Sequence, residues 1–163
     1  MTRLEVGWLW CEDLPEREVN HVMGTWDVEP FGNDDAADFA FELDDAPAAA
    51  RIEMIGAVLE RVAHDDDHRL SDPPRAVAAA ALVAAQCPAG EPVTSTSGPR
   101  TSMPQFPDHL RHLAIQALDR VVEAPTWLAE AWDESPDGSA WRRTIADLRK
   151  VLDPAQREAL FDL

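Results

Sequence analysis

Outside one long proline-rich segment, the apolar residues between Asn33 and Leu152 recur at helical spacing. Ala36, Ala37, Phe39, Ala40 and Leu43 give the run Asp34 to Leu43 one broad apolar face. Asn33 stands before it as a cap, its side-chain oxygen able to accept from the free N–H groups of the first turn. Asp34 and Asp35 then place negative charge at the positive end of the helix dipole. Pro47 opens a second helix with the stripe Ile52, Ile55, Leu59 and Val62, leaving Arg51, Glu53, Glu60 and Arg61 for other faces. A third begins near Asp72-Pro73-Pro74. Its stretch Ala76 to Ala85 contains no polar residue, the pattern of a helix enclosed on most sides. The fourth carries Leu110, Leu113, Ala114, Ala117, Leu118, Val121 and Val122 and stops by Pro125. A short fifth holds Trp127, Leu128, Ala131 and Trp132 on one side. Ser135-Pro136 opens a sixth, with Trp141, Ile145, Leu148, Val151 and Leu152 as its stripe and Asp153-Pro154 as its stop. Val93 to Thr96 is the one β-leaning run, and it is short. The pattern predicts an all-α fold, a single compact bundle of about six helices. Cys87 to Pro107 is its one long loop and reads as a surface crossover.

At 163 residues the chain suits one domain with a core of its own. Residues 23–153 read as the helical domain and residues 154–163 as a C-terminal tail. Met1 to Val22 shows no sustained period. It reads as an N-terminal extension or disordered arm upstream of a natural start at Met23. The opposing reading is an ordered arm whose Trp8 and Trp10 pack onto the domain. No apolar run has membrane-span length and no signal-peptide pattern opens the chain, so the expectation is a cytoplasmic protein without a membrane partner. Cys11 and Cys87 form no spacing motif, and Cys87 reads as an inert, partly buried thiol.

Charge sharpens this picture. The formal net charge is −17, and from Met23 to Asp72 the sequence holds 14 acidic against 3 basic residues. An acidic half of this kind repels phosphate backbones and anionic membranes, which disfavours nucleic acid and leaves basic proteins and cations as partners. Solubility alone is the plainer explanation of the same surface.

One block carries a family resemblance: Met23, Gly24 and Trp26, then Phe31, Asn33, Asp34, Asp35 and Ala36. It resembles the opening of the bacterial domain-of-unknown-function family 4259, with a likeness running from Met23 to about Leu152. Asp27 departs from it, since a glycine is expected after the tryptophan. The resemblance implies a helical fold and no reaction. Some small helical bacterial families of this kind act as immunity proteins of toxin systems, an analogy at the level of the fold only.

Candidate chemistry is sparse. His64-Asp65-Asp66-Asp67-His68 holds two histidines four apart, and His64, Asp65, Asp67 and His68 make a metal set if the helix continues through them. The helix is expected to end at the last apolar residue, which leaves a solvated acidic loop. Asp34, Asp38 and Glu42 are spaced by four, a like-charge face that costs a few tenths of a kcal/mol per pair. His109 and His112, beside Asp108, lack a third ligand of recognisable spacing. Trp26, Phe31, Phe39 and Phe41 cluster at the domain start and Trp127, Trp132 and Trp141 near its end, all read as core anchors. No phosphate loop and no nucleophile elbow is present, so no cofactor is expected. The sequence favours a non-catalytic acidic module binding a basic protein partner, with Asp34, Asp35, Asp38, Glu42, Asp65, Asp66 and Asp67 as its face. A metal-dependent enzyme built on His64 and His68 and a small-ligand binder using the aromatics are the alternatives.

Overall fold

A computed structural model describes residues 27–66, 72–123 and 126–153. Among them the chain forms six helices and no strand: α1 (Asp34–Asp45), α2 (Ala48–Ala63), α3 (Pro73–Ala85), α4 (His109–Val122), α5 (Trp127–Asp133) and α6 (Gly138–Leu152). The all-α expectation holds, as do most helix ends.

α3 is the centre. Ala76 to Ala84 are buried without exception, and α1, α2, α4 and α6 all pack on this helix. Its alanines present little side-chain bulk, which lets neighbouring axes come close from several sides at once. α4 is the second core helix, burying Leu110, Ala114, Ala117, Leu118 and Val121 against α2, α3 and α6.

Local chemistry sets the helix ends. Asn33 Oδ1 accepts from Ala36 N at 2.9 Å, the cap expected for α1. Thr126 is fully buried between α4 and α5; its hydroxyl donates to the Val121 carbonyl at 2.9 Å and accepts from Ala129 N at 3.3 Å. Ser135 does not cap α6. Its Oγ accepts from Asp137 N at 3.3 Å in a turn, and the helix starts at Gly138. There a Cβ would stand 2.3 Å from the Trp132 carbonyl oxygen, so only glycine lets α6 start this close to the end of α5. Beyond that contact Trp132 and Trp141 stack at 5.6 Å, and Arg142 grips Asp133 with two bonds of 2.8 Å.

Arg51 departs from the sequence reading. Rather than lying on a solvated face, it is buried, with Nε donating to the Leu43 carbonyl at 2.8 Å and Nη1 to the Ser102 carbonyl at 3.1 Å. It closes the end of α1 and pins the long loop in one move. Asp44 and Gln86 pin the same loop elsewhere. The Asp44 carboxylate accepts from Arg100 N, Thr101 N and the Thr101 hydroxyl at 2.6–3.0 Å. Gln86 donates to the Pro104 carbonyl at 2.8 Å and accepts from Phe106 N at 2.9 Å.

Candidate functional site

The outer ridge of α1 is set by its inner one. Ala36, Phe39, Ala40 and Leu43 face the core, so 3.6-residue geometry turns Asp34, Asp38, Phe41 and Asp45 outward together. Phe41 is 59% exposed and is not a core anchor. Phe31 and Phe39 are buried as expected, while Trp26 lies outside the described residues. Asp34, Asp38 and Asp45 are exposed and make no ion pair among the described residues. An aromatic side chain therefore stands in a rim of unneutralised carboxylates. Beside it a shallow hollow runs between Ala37, Ala40 and Phe41 on α1 and the turn Thr96 to Gly98.

Glu42 and Asp35 stand apart from this ridge. Arg75 takes both Glu42 oxygens at 3.0 and 3.2 Å, and Asp35 and Asp72 lie within its field. Asp72 in turn pairs with Arg61 at 2.9 Å. A line of alternating charge thus joins α1 to the last turn of α2. Asp65 and Asp66 follow that turn; Arg120 of α4 donates to the Asp65 carbonyl at 2.9 Å, and Asp66 is exposed. Asp67 and His68 lie outside the described residues.

α2 ends at Ala63, where the last apolar residues predict it. His64 is its C-cap, and its Nδ1 lies 3.1 Å from the Glu60 carbonyl oxygen, so the ring proton sits there. His109 and His112 are exposed on the first turn of α4. Among the described residues no three His, Cys, Asp or Glu side chains gather as a metal-holding group.

A larger concavity lies elsewhere, a cleft of about 530 Å³ between the 29–31 turn, the end of α3, the 89–95 loop and α6. Phe31, Ala84, Leu148 and Val151 form its apolar side, while Glu29, Glu91 and Asp147 are its ionisable groups. Gly90 closes the loop over the helix: a Cβ there would stand 1.9 Å from the Ala84 carbonyl oxygen. No sequence signal assembles this cleft, because its carboxylates are scattered along the chain and meet only through packing. Phe41 was misread as a core anchor, although the wheel that buries Phe39 already points Phe41 outward.

A smaller cavity of about 220 Å³ holds Cys87 and Arg111. Burial raises the Cys87 thiol above its ordinary range, against the opposing charge of Arg111, so the thiol stays protonated. Arg111 donates through Nη2 to the Leu152 carbonyl at 3.2 Å, closing the end of α6.

These features describe an all-α domain with an acidic, aromatic-centred helix face and a separate carboxylate-rimmed cleft. The chain belongs to the family described as Domain of unknown function (DUF4259), which it matches over residues 24–144. No curated protein and no solved structure matches it. Among the described residues no helix is long and apolar enough to cross a membrane.

Proposed function

We propose that the domain is a non-catalytic module that binds a basic protein partner through the outer ridge of α1. The observation that carries this reading is Phe41, 59% exposed among the unpaired carboxylates of Asp34, Asp38 and Asp45. Binding surfaces concentrate their energy in a few aromatic anchors that a polar rim shields from water. Carboxylates around the anchor attract a basic partner and speed its approach in a salt-dependent way. The reading shares its chemistry with immunity-type proteins, which neutralise a partner by covering it and need no reacting group.

The test is capture of partners from native lysate on the immobilised full chain at 50 and 500 mM salt, read by mass spectrometry. A basic protein retained at low salt and released at high salt is expected. Phe41→Ala, an exposed position whose loss leaves folding within about 0.5 kcal/mol, is expected to weaken that partner by about 2 kcal/mol. Equal retention by the wild type and by a variant combining Phe41→Ala with Asp34→Asn and Asp38→Asn would remove this face from consideration.

A further inference from the structure

The cleft and the α1 ridge are not independent features. Thr94 and Ser95 line the cleft, and Thr96, Ser97 and Gly98 line the hollow beside Phe41, so one turn forms the wall between them. A partner seated on Phe41 meets the mouth of the cleft by crossing that turn.

We propose that the cleft takes an extended, arginine- or lysine-bearing segment of the same partner, paired to the backbone of the 91–94 strip. This rests on the binding reading above and extends it to a second contact region. Three observations support it independently.

The first is charge. Glu29, Glu91 and Asp147 are exposed, make no ion pair among the described residues, and face no cationic side chain in the cleft lining. The carbonyl end of α3 abuts the cleft at Ala84 and Ala85, and its last turn holds no basic residue. Both features favour positive charge at this spot.

The second is shape and polarity. A cavity of about 530 Å³ falls in the range of preformed ligand sites. Its apolar side suits the aliphatic stems of arginine and lysine, which lie on hydrocarbon while their heads reach carboxylates.

The third is the backbone. From Glu91 to Thr94 the N–H groups of Glu91, Val93 and Thr94 and all four carbonyls make no hydrogen bond among the described residues, although this strip lines the cleft; Pro92 has no N–H. Unpaired backbone beside a groove is what an added extended segment uses for affinity, with side-chain pockets supplying selectivity. A free polyamine satisfies the carboxylates and leaves this strip unpaired, which is why the occupant is a peptide segment.

The test uses the isotope-labelled full chain, followed by amide spectra, with three probes. These are a capped hexapeptide alternating arginine and leucine, its glutamate counterpart, and spermidine. The arginine peptide is expected to give saturable shifts at Glu91, Val93, Thr94, Thr144 and Asp147, and the glutamate peptide none. Glu91→Gln with Asp147→Asn, both exposed and so harmless to the fold, is expected to weaken the peptide at least five-fold. N-methylating alternate peptide amides is expected to weaken it by a similar factor. Shifts confined to Asp34, Asp38 and Phe41 would overturn the cleft proposal and leave the α1 reading standing. Peptide binding in the cleft by a chain that retains no basic partner from lysate would do the reverse. Spermidine reproducing the full shift pattern, or full affinity of the N-methylated peptide, would reduce the cleft to a charge effect and overturn the segment.

Discussion

Arg51, Asp44 and Gln86 hold the long loop to the helices, and the first two act from the same helix boundary. Arg51 serves two carbonyls from a buried position, so Arg51→Met leaves the Ser102 oxygen without this donor and the Leu43 oxygen with the Ala46 N–H in its place. The expected cost is about 1–3 kcal/mol, read as a lower denaturant midpoint at unchanged slope. Lysine is a poor substitute, because a single ammonium cannot reproduce the fork. Asp44 acts through charge. The Thr101 hydroxyl, chiefly, holds its carboxyl below the ordinary carboxylate range against the opposing effect of burial; the Arg100 and Thr101 N–H groups and the charge of Arg51 assist. A depressed folded-state pKa stabilises the protein above the unfolded value, near 3.8, and the contribution is lost as pH falls through the folded one. Asp44→Asn is therefore expected to be less stable than wild type at pH 7, with the gap closing as pH drops below 4. A gap that holds constant from pH 7 to pH 3 would assign the effect to shape rather than charge. Neither role was legible in the sequence. Arg51 reads as a surface residue until the partner carbonyls, 8 and 51 positions away, are folded against it.

Helices were the legible scale. The Asn33 cap, the apolar face of α1, the alanine-rich, wholly apolar body of α3 and the stripe of α4 each follow from the sequence pattern, because a 3.6-residue period leaves one arrangement that buries them. The start of α6 was misplaced for a physical reason. Ser135-Pro136 has the chemistry of a helix opening, but the close approach of Gly138 to the Trp132 carbonyl fixes the first turn three residues later. Gly90 plays the same part at the C-terminal end of α3. Its missing side chain lets the loop lie on the Ala84 carbonyl and so shapes the floor of the cleft. Gly90→Ala is expected to push the loop outward, at a cost of about 1–3 kcal/mol, while leaving the α1 ridge as it is. Differential scanning calorimetry reads the first part, and amide spectra of residues 34–45 read the second.

Across the whole molecule charge outweighs local pairing. The chain carries 31 acidic against 14 basic side chains, Lys and Arg together, and the described ion pairs are at or near the surface. Exposed pairs contribute little each, whereas the surplus of carboxylates repels itself throughout the folded surface. Salt screens both effects, and here the repulsion is the larger. The melting temperature is expected to rise between 20 and 200 mM sodium chloride, and a fall would mean that the arginine pairs dominate. The acidity was plain in the sequence. Its division into a neutralised side around Arg75 and an open side around Phe41 was not, since that depends on which arginines the fold brings within reach.

The enclosure of α3 has a use in solution. Its residues from Ala76 to Ala84 are shut away from water, so their amide hydrogens trade with deuterium only when the domain opens as a whole. The 93–101 turns need no such opening. Deuterium uptake by α3 is thus an internal gauge of global stability, measured alongside the surface. A partner that slows uptake in α1 and in the 91–94 strip beyond any slowing in α3 is covering those segments. A partner that slows all of them equally is only making the fold harder to open.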